Sequence, residues 1–295
     1  MSVRIEHWGD EPNHRLEDST PLWRYMKLST FLLLLDGKVF FPSVQTLQKG
    51  DPLEGVFSMD PDWWQYVISH SDDRYGDLCS WLHKLAECGE PENQQPWQQF
   101  FECLRRQRAV WCWHESENES AALWSIYANA GIAVRTDVAS LSEALPNCHD
   151  FQIARIKYLP RNPPPHPWFK WDPTDEACGL ELVVRPHLLK GVEYAHEKEI
   201  RVSTFCLPKE NGWCVDGIKP EKLIKEIVVS PLVSYDEYVA LKQHLAASTG
   251  KWDETKIRYS VLLGDLEENE RRAALVKSYF RCHKETDLPR PIDEL

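Results

Sequence analysis

The phrase EKEIR contributes two carboxylates and a guanidinium, those of Glu197, Glu199 and Arg201, within five residues. Side chains two residues apart project from the same face of a β-strand, so a strand here would present two carboxylates and a guanidinium together. Two carboxylates can stabilise a developing positive charge or hydrolyse a glycosidic bond. The competing interpretation is a solvated sheet edge, where an ion pair contributes only about 0–1 kcal/mol to stability.

Two earlier phrases supply candidates for ligand binding. LWRY places Arg24 and Tyr25 on a predicted strand, and LWSIYA places Ser125 and Tyr127 on a predicted helix. A guanidinium can hold a phosphate through two hydrogen bonds, and a tyrosine ring can stack on a flat ligand. The structural alternatives are an ion pair at the strand end for Arg24, a purely structural role for Ser125, and core packing against Leu123 for Tyr127.

The sequence does not indicate a metal site or a common nucleotide-binding motif. Its nine cysteines are odd in number and scattered, without a CxxC pair, which is typical of reduced thiols rather than zinc ligands. His114-Glu115 beside Cys112 has no second ligand cluster nearby in sequence, so we expect no metal. The patterns GxxxxGK[ST], GxGxxG, HExxH and GxSxG do not occur, which disfavours P-loop hydrolysis, Rossmann redox chemistry and zincin proteolysis.

The order of phrases along the chain resembles that of a bacterial family known as domain of unknown function 2971. These phrases are LWRY, DPLEG, LWSIYA followed by GIAV, EKEIR, and IKEIVVSP, and they span about residues 21–263. A more distant resemblance is to ADP-ribosyltransferases that use NAD. In those enzymes an arginine on an early strand, a hydroxyl in a middle motif and a late Glu-x-Glu occur in the same order.

The resemblance to the transferases implies a fold and a substrate. The fold would be α+β, as a single domain with a central mixed or antiparallel split sheet flanked by helices. NAD would be the substrate, and no metal would be needed. Arg24 would hold the pyrophosphate, while Tyr25 or Tyr127 would stack on the nicotinamide ring.

The same resemblance implies the catalytic roles. Glu199 would be the catalytic carboxylate that stabilises the oxocarbenium charge as nicotinamide leaves, and Glu197 would orient the acceptor. Ser125 would be the hydroxyl of the middle motif, and Arg201 a further binding residue. The middle motif lies on a strand in the transferases, whereas here it falls on a predicted helix.

Three classes of function therefore remain open. The first is transfer of ADP-ribose from NAD to a macromolecular acceptor, as a toxin or phage-defence effector. The second is hydrolysis of a nucleotide or glycosidic bond by the two carboxylates, which needs no acceptor beyond water. The third is a non-catalytic binding module with an antitoxin-like protein partner.

Composition limits the partners. The 295 residues are 42% hydrophobic and 27% charged, an ordinary globular balance. Residues 1–150 hold 12 Lys and Arg against 23 Asp and Glu, so a broad nucleic-acid-binding surface is unlikely on that half. The longest apolar run, at 31–35, is far shorter than the roughly 20 residues of a membrane span. We therefore expect a cytoplasmic protein that does not interact with a membrane.

The elements that must position these residues follow from hydrophobic periodicity. Strands are predicted at 22–26, 38–41, 109–113, 132–136, 151–159, 199–205, 213–218, 225–230 and 256–262. Helices are predicted at 29–36, 116–129, 141–145 and 235–248. The strand at 213–218 is expected to form a hairpin with the strand at 199–205.

These elements define the expected domain organisation. Residues 1–18 are predicted to be a flexible segment, and residues 19–263 a single α+β domain. A helical insertion at 61–107 and a proline-rich loop at 160–178 interrupt that domain, and the loop is expected to act as a mobile flap. Residues 264–295 are predicted to form a C-terminal helix and tail.

Overall fold

The fold is known from a computed structural model that describes residues 3–5, 16–51, 54–55, 105–147, 149–159, 186–205, 211–249 and 256–263. Three predicted features lie outside the described residues: nearly all of the helical insertion at 61–107, the loop at 160–178, and the C-terminal helix and tail. Within the described part of the chain, no helix is both long enough and apolar enough to cross a bilayer.

Strands make up most of the described structure. The strands are β1 (Val3–Ile5), β2 (Pro21–Met26), β3 (Lys38–Pro42), β4 (Arg108–Glu115), β5 (Ile132–Asp137), β6 (Phe151–Arg155), β7 (Lys157–Leu159), β8 (Leu189–Gly191), β9 (Glu199–Phe205), β10 (Gly212–Asp216), β11 (Glu226–Val229) and β12 (Ile257–Tyr259). The α-helices are α1 (Leu28–Leu35), α2 (Val44–Leu47), α3 (Ala121–Leu123), α4 (Val138–Ala144), α5 (Pro220–Leu223) and α6 (Tyr235–Thr249). Shorter helical turns are a π-helical turn at Trp124–Ala128 and 3-10 turns at Pro186–Leu188, Val192–Glu197 and Val261–Leu263.

Eight of the strands form one mixed sheet in the order β1-β6-β9-β4-β2-β5-β11-β12. The two outer pairs are parallel, and the inner pairs are antiparallel. Strands β3 and β10 pair antiparallel, and β7 and β8 pair parallel, in two small sheets. The α+β class and the mixed sheet flanked by helices, both predicted from the sequence, are confirmed.

The large sheet is buried on both faces, and the two faces differ in chemistry. On one face, Ile200 and Val202 of β9 join Trp111 and Trp113 of β4 in the main apolar core, together with Phe31 of α1. The alternate β9 side chains point to the other face, because side chains alternate along a strand. That second face carries the buried polar residues that build the site.

The sheet is split beside β4. Strand β2 pairs with the end of β4 at Trp23 and His114, whereas Ser43, after β3, bridges to Ala109 near the start of β4. None of the described strands pairs with β4 on this side between Val110 and Trp113. The split therefore leaves a gap in the sheet along this edge of β4.

Three differences from the sequence predictions concern the strands. Val3–Ile5 form a strand paired with β6 inside the segment predicted to be flexible. Strand β10 pairs with β3, so the expected hairpin between 199–205 and 213–218 does not form. The predicted strand at 151–159 is two strands, because the chain leaves the large sheet at Ile156 and β7 pairs with β8 instead.

Candidate functional site

A cavity of about 590 Å³ lies at the split in the sheet. Six of the seven residues singled out in the sequence line it: Arg24, Tyr25, Tyr127, Glu197, Glu199 and Arg201. The structure also adds lining residues that the sequence did not single out as site residues, among them Glu54, His114 and Lys190. The cavity thus gathers residues from three separate stretches of the chain, at 23–54, 110–127 and 190–201.

Glu199 and Arg201 form the buried floor of the cavity. Both lie on β9, and Arg201 is completely buried. Its Nε donates to Glu199 Oε1 at 2.8 Å and its Nη2 to Glu199 Oε2 at 3.1 Å, while Nη1 donates to the carbonyl of His187 at 2.7 Å. Burial alone would raise the pKa of Glu199, but Arg201 and Lys190 outweigh it and lower that pKa to about 2.

Glu197 does not lie on the strand, which corrects the predicted shared strand face. It is the last residue of the 3-10 turn Val192–Glu197, and Lys198 then adopts a left-handed conformation with φ of 41° before β9 begins. The two carboxylates are nevertheless brought together, because Lys190 pairs with both. Its Nζ hydrogen-bonds to Glu197 Oε2 and lies 3.2 Å from Glu199 Oε2.

Lys190 is the main residue that the sequence analysis missed. It lies on β8, with 8% of its side chain exposed, and its Nζ is also 4.0 Å from Glu54 Oε2. Burial alone would lower the pKa of Lys190, but Glu199, Glu54 and Glu197 outweigh it and raise the pKa. The lysine therefore stays charged and ties the three carboxylates to one another. No local motif surrounds it, so no sequence signal could have identified it.

Arg24 reaches the cavity through the split. Its neighbours on β2, Leu22 and Met26, belong to the main core, whereas Tyr25 belongs to the opposite face. The Arg24 guanidinium donates to the carbonyl of Cys112, in the stretch of β4 that β2 leaves unpaired. It also lies over the Trp111 ring, 5.6 Å from the ring centroid. The strand gap thus lets a residue of the core face line the same cavity as Glu199.

Glu54 is a carboxylate that the structure adds to Glu197 and Glu199. The sequence analysis gave Glu54, in the phrase DPLEG, no role in the site, yet its side chain is 2% exposed and lines the cavity. Its Oε1 lies 2.7 Å from Arg201 Nη1. This contact is an ion pair between two buried groups, although Oε1 does not meet the geometry of a hydrogen bond with any described residue. Burial raises the pKa of Glu54 despite the opposing effect of Arg201.

Trp23 and Tyr25 belong to a buried aromatic cluster and also line the cavity, where they form its aromatic wall. The Tyr25 ring stacks near Trp23 with centroids 6.3 Å apart and meets Trp124 edge-on at 5.0 Å. Its hydroxyl accepts a hydrogen bond from the backbone N–H of Ser120 at 2.7 Å, and burial raises its pKa to about 12. Flat, rigid surfaces of this kind suit the stacking of a ring.

Tyr127 and Ser125 lie on the π-helical turn, and only Tyr127 reaches the cavity. The Tyr127 ring is 48% exposed, and its hydroxyl donates to Glu197 Oε1 at 2.8 Å, so it does not pack in the core against Leu123. Ser125 is exposed, and its hydroxyl donates to the carbonyl of Ala121 at 3.3 Å. Ser125 is therefore not brought into the site. π-Helical turns often occur at functional sites because they shift side chains around the helix axis.

His114 and Cys112, both on β4, also line the cavity. His114 Nδ1 is hydrogen-bonded to the carbonyl of Glu197, and burial lowers the pKa of the ring. A neutral ring that donates through Nδ1 leaves Nε2 as an acceptor. Burial raises the pKa of Cys112, so its thiol stays protonated. The described part of the chain contains no group of three or more His, Cys, Asp or Glu placed to hold a metal.

The chain was compared with models of known families, with characterised proteins and with solved structures. None of the three comparisons gives a significant match. The function must therefore be argued from the cavity itself.

Proposed function

We propose that the cavity binds NAD and transfers its ADP-ribosyl group to a macromolecular acceptor. The observation that carries the proposal is the joint presence, in one cavity of about 590 Å³, of a guanidinium, an aromatic wall and two carboxylates bridged by Lys190. These three features match the pyrophosphate, the rings and the reacting ribose of NAD. The proposal includes the fold and the activity class that the sequence resemblance to ADP-ribosyltransferases implies.

Arg24 is the proposed pyrophosphate ligand. One of its amino groups is held by the carbonyl of Cys112, which fixes the guanidinium plane and leaves further N–H groups for phosphate oxygens. Lys190 and Arg201 are committed to carboxylates, so Arg24 is the cation best placed to bind an anion. Tyr25 and Tyr127 are the proposed stacking surfaces for the adenine or nicotinamide ring.

Glu197 is the proposed catalytic carboxylate. Glu199 is held by two cations, with Arg201 bound to both of its oxygens and Lys190 to one. Glu197 is held by Lys190 and by the neutral hydroxyl of Tyr127, so more of its negative charge remains for a ligand. In the reaction the bond between ribose C1′ and the nicotinamide nitrogen breaks, and its electron pair leaves with neutral nicotinamide. Glu197 stabilises the resulting oxocarbenium charge. The acceptor then bonds to C1′ and loses a proton, which the neutral ring of His114 can accept.

The experiment measures nicotinamide release and transfer of label from adenine-labelled NAD to protein. Glu197→Gln should lower nicotinamide release by roughly 10²–10³-fold, because the charge that stabilises the transition state is removed. Glu193→Gln is the matched control on the same 3-10 turn, since Glu193 is exposed and does not line the cavity. Equal rates for wild type and Glu197→Gln would remove Glu197 from the mechanism.

Hydrolysis of a glycosidic bond is a second candidate, favoured by one observation. Glu54 and Glu199 contact the same guanidinium, yet burial raises the pKa of Glu54 while Arg201 and Lys190 lower that of Glu199. Two carboxyl groups with pKa values pushed apart can serve as acid and base. In the same assay, hydrolysis would release nicotinamide and free ADP-ribose without labelling protein. A binding module would give neither product.

A further inference from the structure

The gap beside β4 exposes part of a strand backbone to the cavity. In an antiparallel strand, alternate residues direct their N–H and C=O groups to opposite sides. The Glu115 N–H donates to the carbonyl of Lys198 at 3.0 Å, so the odd-numbered residues of β4 face β9. The even-numbered residues therefore face β2, where pairing ends at His114 and Trp23. Cys112, the next even-numbered residue, directs its N–H and its C=O into the gap.

The two backbone groups of Cys112 have different surroundings. Its carbonyl accepts a hydrogen bond from the Arg24 guanidinium. Its N–H faces the gap, where none of the described strands pairs with it. Both residues line the cavity, and Cys112 is only half-buried, so a ligand can reach this backbone. Because backbone N–H groups within a sheet are almost always hydrogen-bonded, an acceptor is expected at this position.

The groups that meet at the gap favour an anionic acceptor. Among the described residues, the Arg24 guanidinium makes one hydrogen bond, to the Cys112 carbonyl, and its other N–H groups remain for a ligand. The Cys112 N–H is a second donor beside it, and oxygen anions are the strongest acceptors for such a pair. Glu199 lines the same cavity, but Arg201 and Lys190 compensate its charge. An anion can therefore approach the gap.

The length of the gap limits what can occupy it. The unpaired stretch from Val110 to Trp113 is about 10 Å long, at roughly 3.3 Å per residue. Pairing closes it at both ends, at His114 on one side and at Ala109, which bridges to Ser43, on the other. Strands in sheets usually have about five or six residues, so an added peptide strand does not fit. A small group such as a phosphate does.

We propose that the gap beside β4 is an anion-binding site, in which the backbone N–H of Cys112 and the guanidinium of Arg24 bind the same phosphate group. This inference rests on the proposed function, which makes that group part of the pyrophosphate of NAD. It adds a backbone donor to the one side chain assigned to the pyrophosphate. A backbone donor leaves no signal in the sequence, because any residue except proline carries an N–H.

NMR spectroscopy of protein labelled with ¹⁵N at cysteine reports on this N–H directly. The signal of the Cys112 amide is identified by its absence from the spectrum of Cys112→Ala. Titration with inorganic pyrophosphate and with ADP-ribose should move that amide proton downfield more than any other cysteine amide, and should slow its hydrogen exchange. ADP-ribose should bind more tightly than pyrophosphate, because the anion is part of a nucleotide.

A backbone substitution measures the contribution of the N–H to affinity. Lactic acid placed at position 112 by stop-codon suppression has the side chain of Cys112→Ala but an ester oxygen in place of the N–H. It should bind pyrophosphate roughly tenfold more weakly than Cys112→Ala, because one hydrogen bond to a charged group is lost. The NMR titration of wild type keeps the test valid if this ester protein does not fold.

Substitution of Arg24 tests the second donor. Arg24→Ala should weaken the binding of both probes by roughly tenfold or more, because a charge-assisted contact is lost. Arg135→Ala is the matched control, since Arg135 also lies over a tryptophan ring, 5.8 Å from the centroid of Trp23, but does not line the cavity. It should bind both probes as wild type does. Equal losses in the two variants would contradict a specific role for Arg24.

The possible outcomes separate this inference from the proposed function. Binding of both probes without a change at the Cys112 amide would overturn the anion site and leave the proposed function in place. Failure of both probes to bind would also overturn the anion site. Tighter binding of pyrophosphate than of ADP-ribose would overturn its assignment to a nucleotide. A shifted Cys112 amide in a protein that releases no nicotinamide from NAD would instead overturn the proposed function and leave the anion site.

Discussion

Two buried glutamates, Glu119 and Glu54, have opposite environments. The Glu119 side chain is 1% exposed, and its oxygens accept hydrogen bonds from Trp124 Nε1, Ser260 Oγ, the Val261 N–H and Arg258 Nη1. Burial alone would raise its pKa, but these donors outweigh it and lower the pKa. The Glu54 side chain is 2% exposed, and its Oε1 lies 2.7 Å from Arg201 Nη1, yet burial outweighs that cation and raises its pKa.

The difference shows how a buried carboxylate can be assigned to structure or to chemistry. Glu119 ties the π-helical turn to the end of β12, and every donor around it stabilises the ionised form. Such a residue holds distant segments together. Glu54 lines a cavity, and burial raises its pKa although Arg201 Nη1 lies 2.7 Å from its Oε1, a combination that is common at binding and catalytic sites.

The largest effect on stability is expected for Glu119→Ala, which tests the structural role of Glu119. We expect a loss of about 3–5 kcal/mol in the free energy of unfolding, because three uncharged donors and Arg258 lose their partner. Urea denaturation measures this change. The control is Glu226→Ala, which removes the more exposed partner of Arg258 and should cost about 1 kcal/mol or less. Similar losses in the two variants would contradict a structural role for Glu119.

Acidification should show the contribution of Glu199. Because its folded-state pKa is lowered to about 2, the stability it contributes is present above its unfolded pKa and is lost as pH falls toward 2. The loss should be about 3 kcal/mol, from the difference between the two pKa values. Denaturation curves between pH 5 and pH 2 should show a shallower decline for Glu199→Gln. An unchanged decline would mean that other carboxylates dominate acid unfolding.

Glu54 should show the opposite pH dependence. Because its pKa is raised, its contribution is complete below the unfolded pKa and is lost as pH rises through the folded pKa. Wild type should lose up to about 1.4 kcal/mol of stability per pH unit in that window, and Glu54→Gln should remove this slope. Denaturation measured from pH 4 to pH 8 gives the slope. A large destabilisation of Glu54→Gln at every pH would show that Glu54 is ionised and structural, like Glu119.

The smallest expected effect on stability is that of Tyr127→Phe. The ring is 48% exposed, so the free energy of unfolding should change by less than about 0.5 kcal/mol. Loss of the hydroxyl that holds Glu197 should nevertheless slow nicotinamide release by up to about tenfold. Tyr235→Phe, at an exposed position on α6, is the control and should leave the rate unchanged. If the rate of nicotinamide release changed only in proportion to the free energy of unfolding in both variants, Tyr127 would have no role in the reaction.

The sequence by itself determined the local elements and most of the candidate residues. Alternation of apolar and polar residues predicted β2, β5 and β9 almost to their ends, because side-chain direction along a strand depends only on the strand itself. The residue types in EKEIR and LWRY identified Glu197, Glu199, Arg201 and Arg24, because few side chains can carry such charge chemistry.

Only the tertiary structure decided which of these residues meet and which others join them. Lys190 belongs to no recognisable motif, and Glu54 belongs to the phrase DPLEG, which had no predicted role in the site. They enter the cavity because β8 and the segment after α2 approach β9 there. Ser125 is excluded because the π-helical turn points it to solvent. The pairing of β10 with β3 and the split beside β4 are likewise non-local. Contacts across tens of residues depend on which faces can be buried together and which charges can be paired, and no short stretch of sequence contains that information.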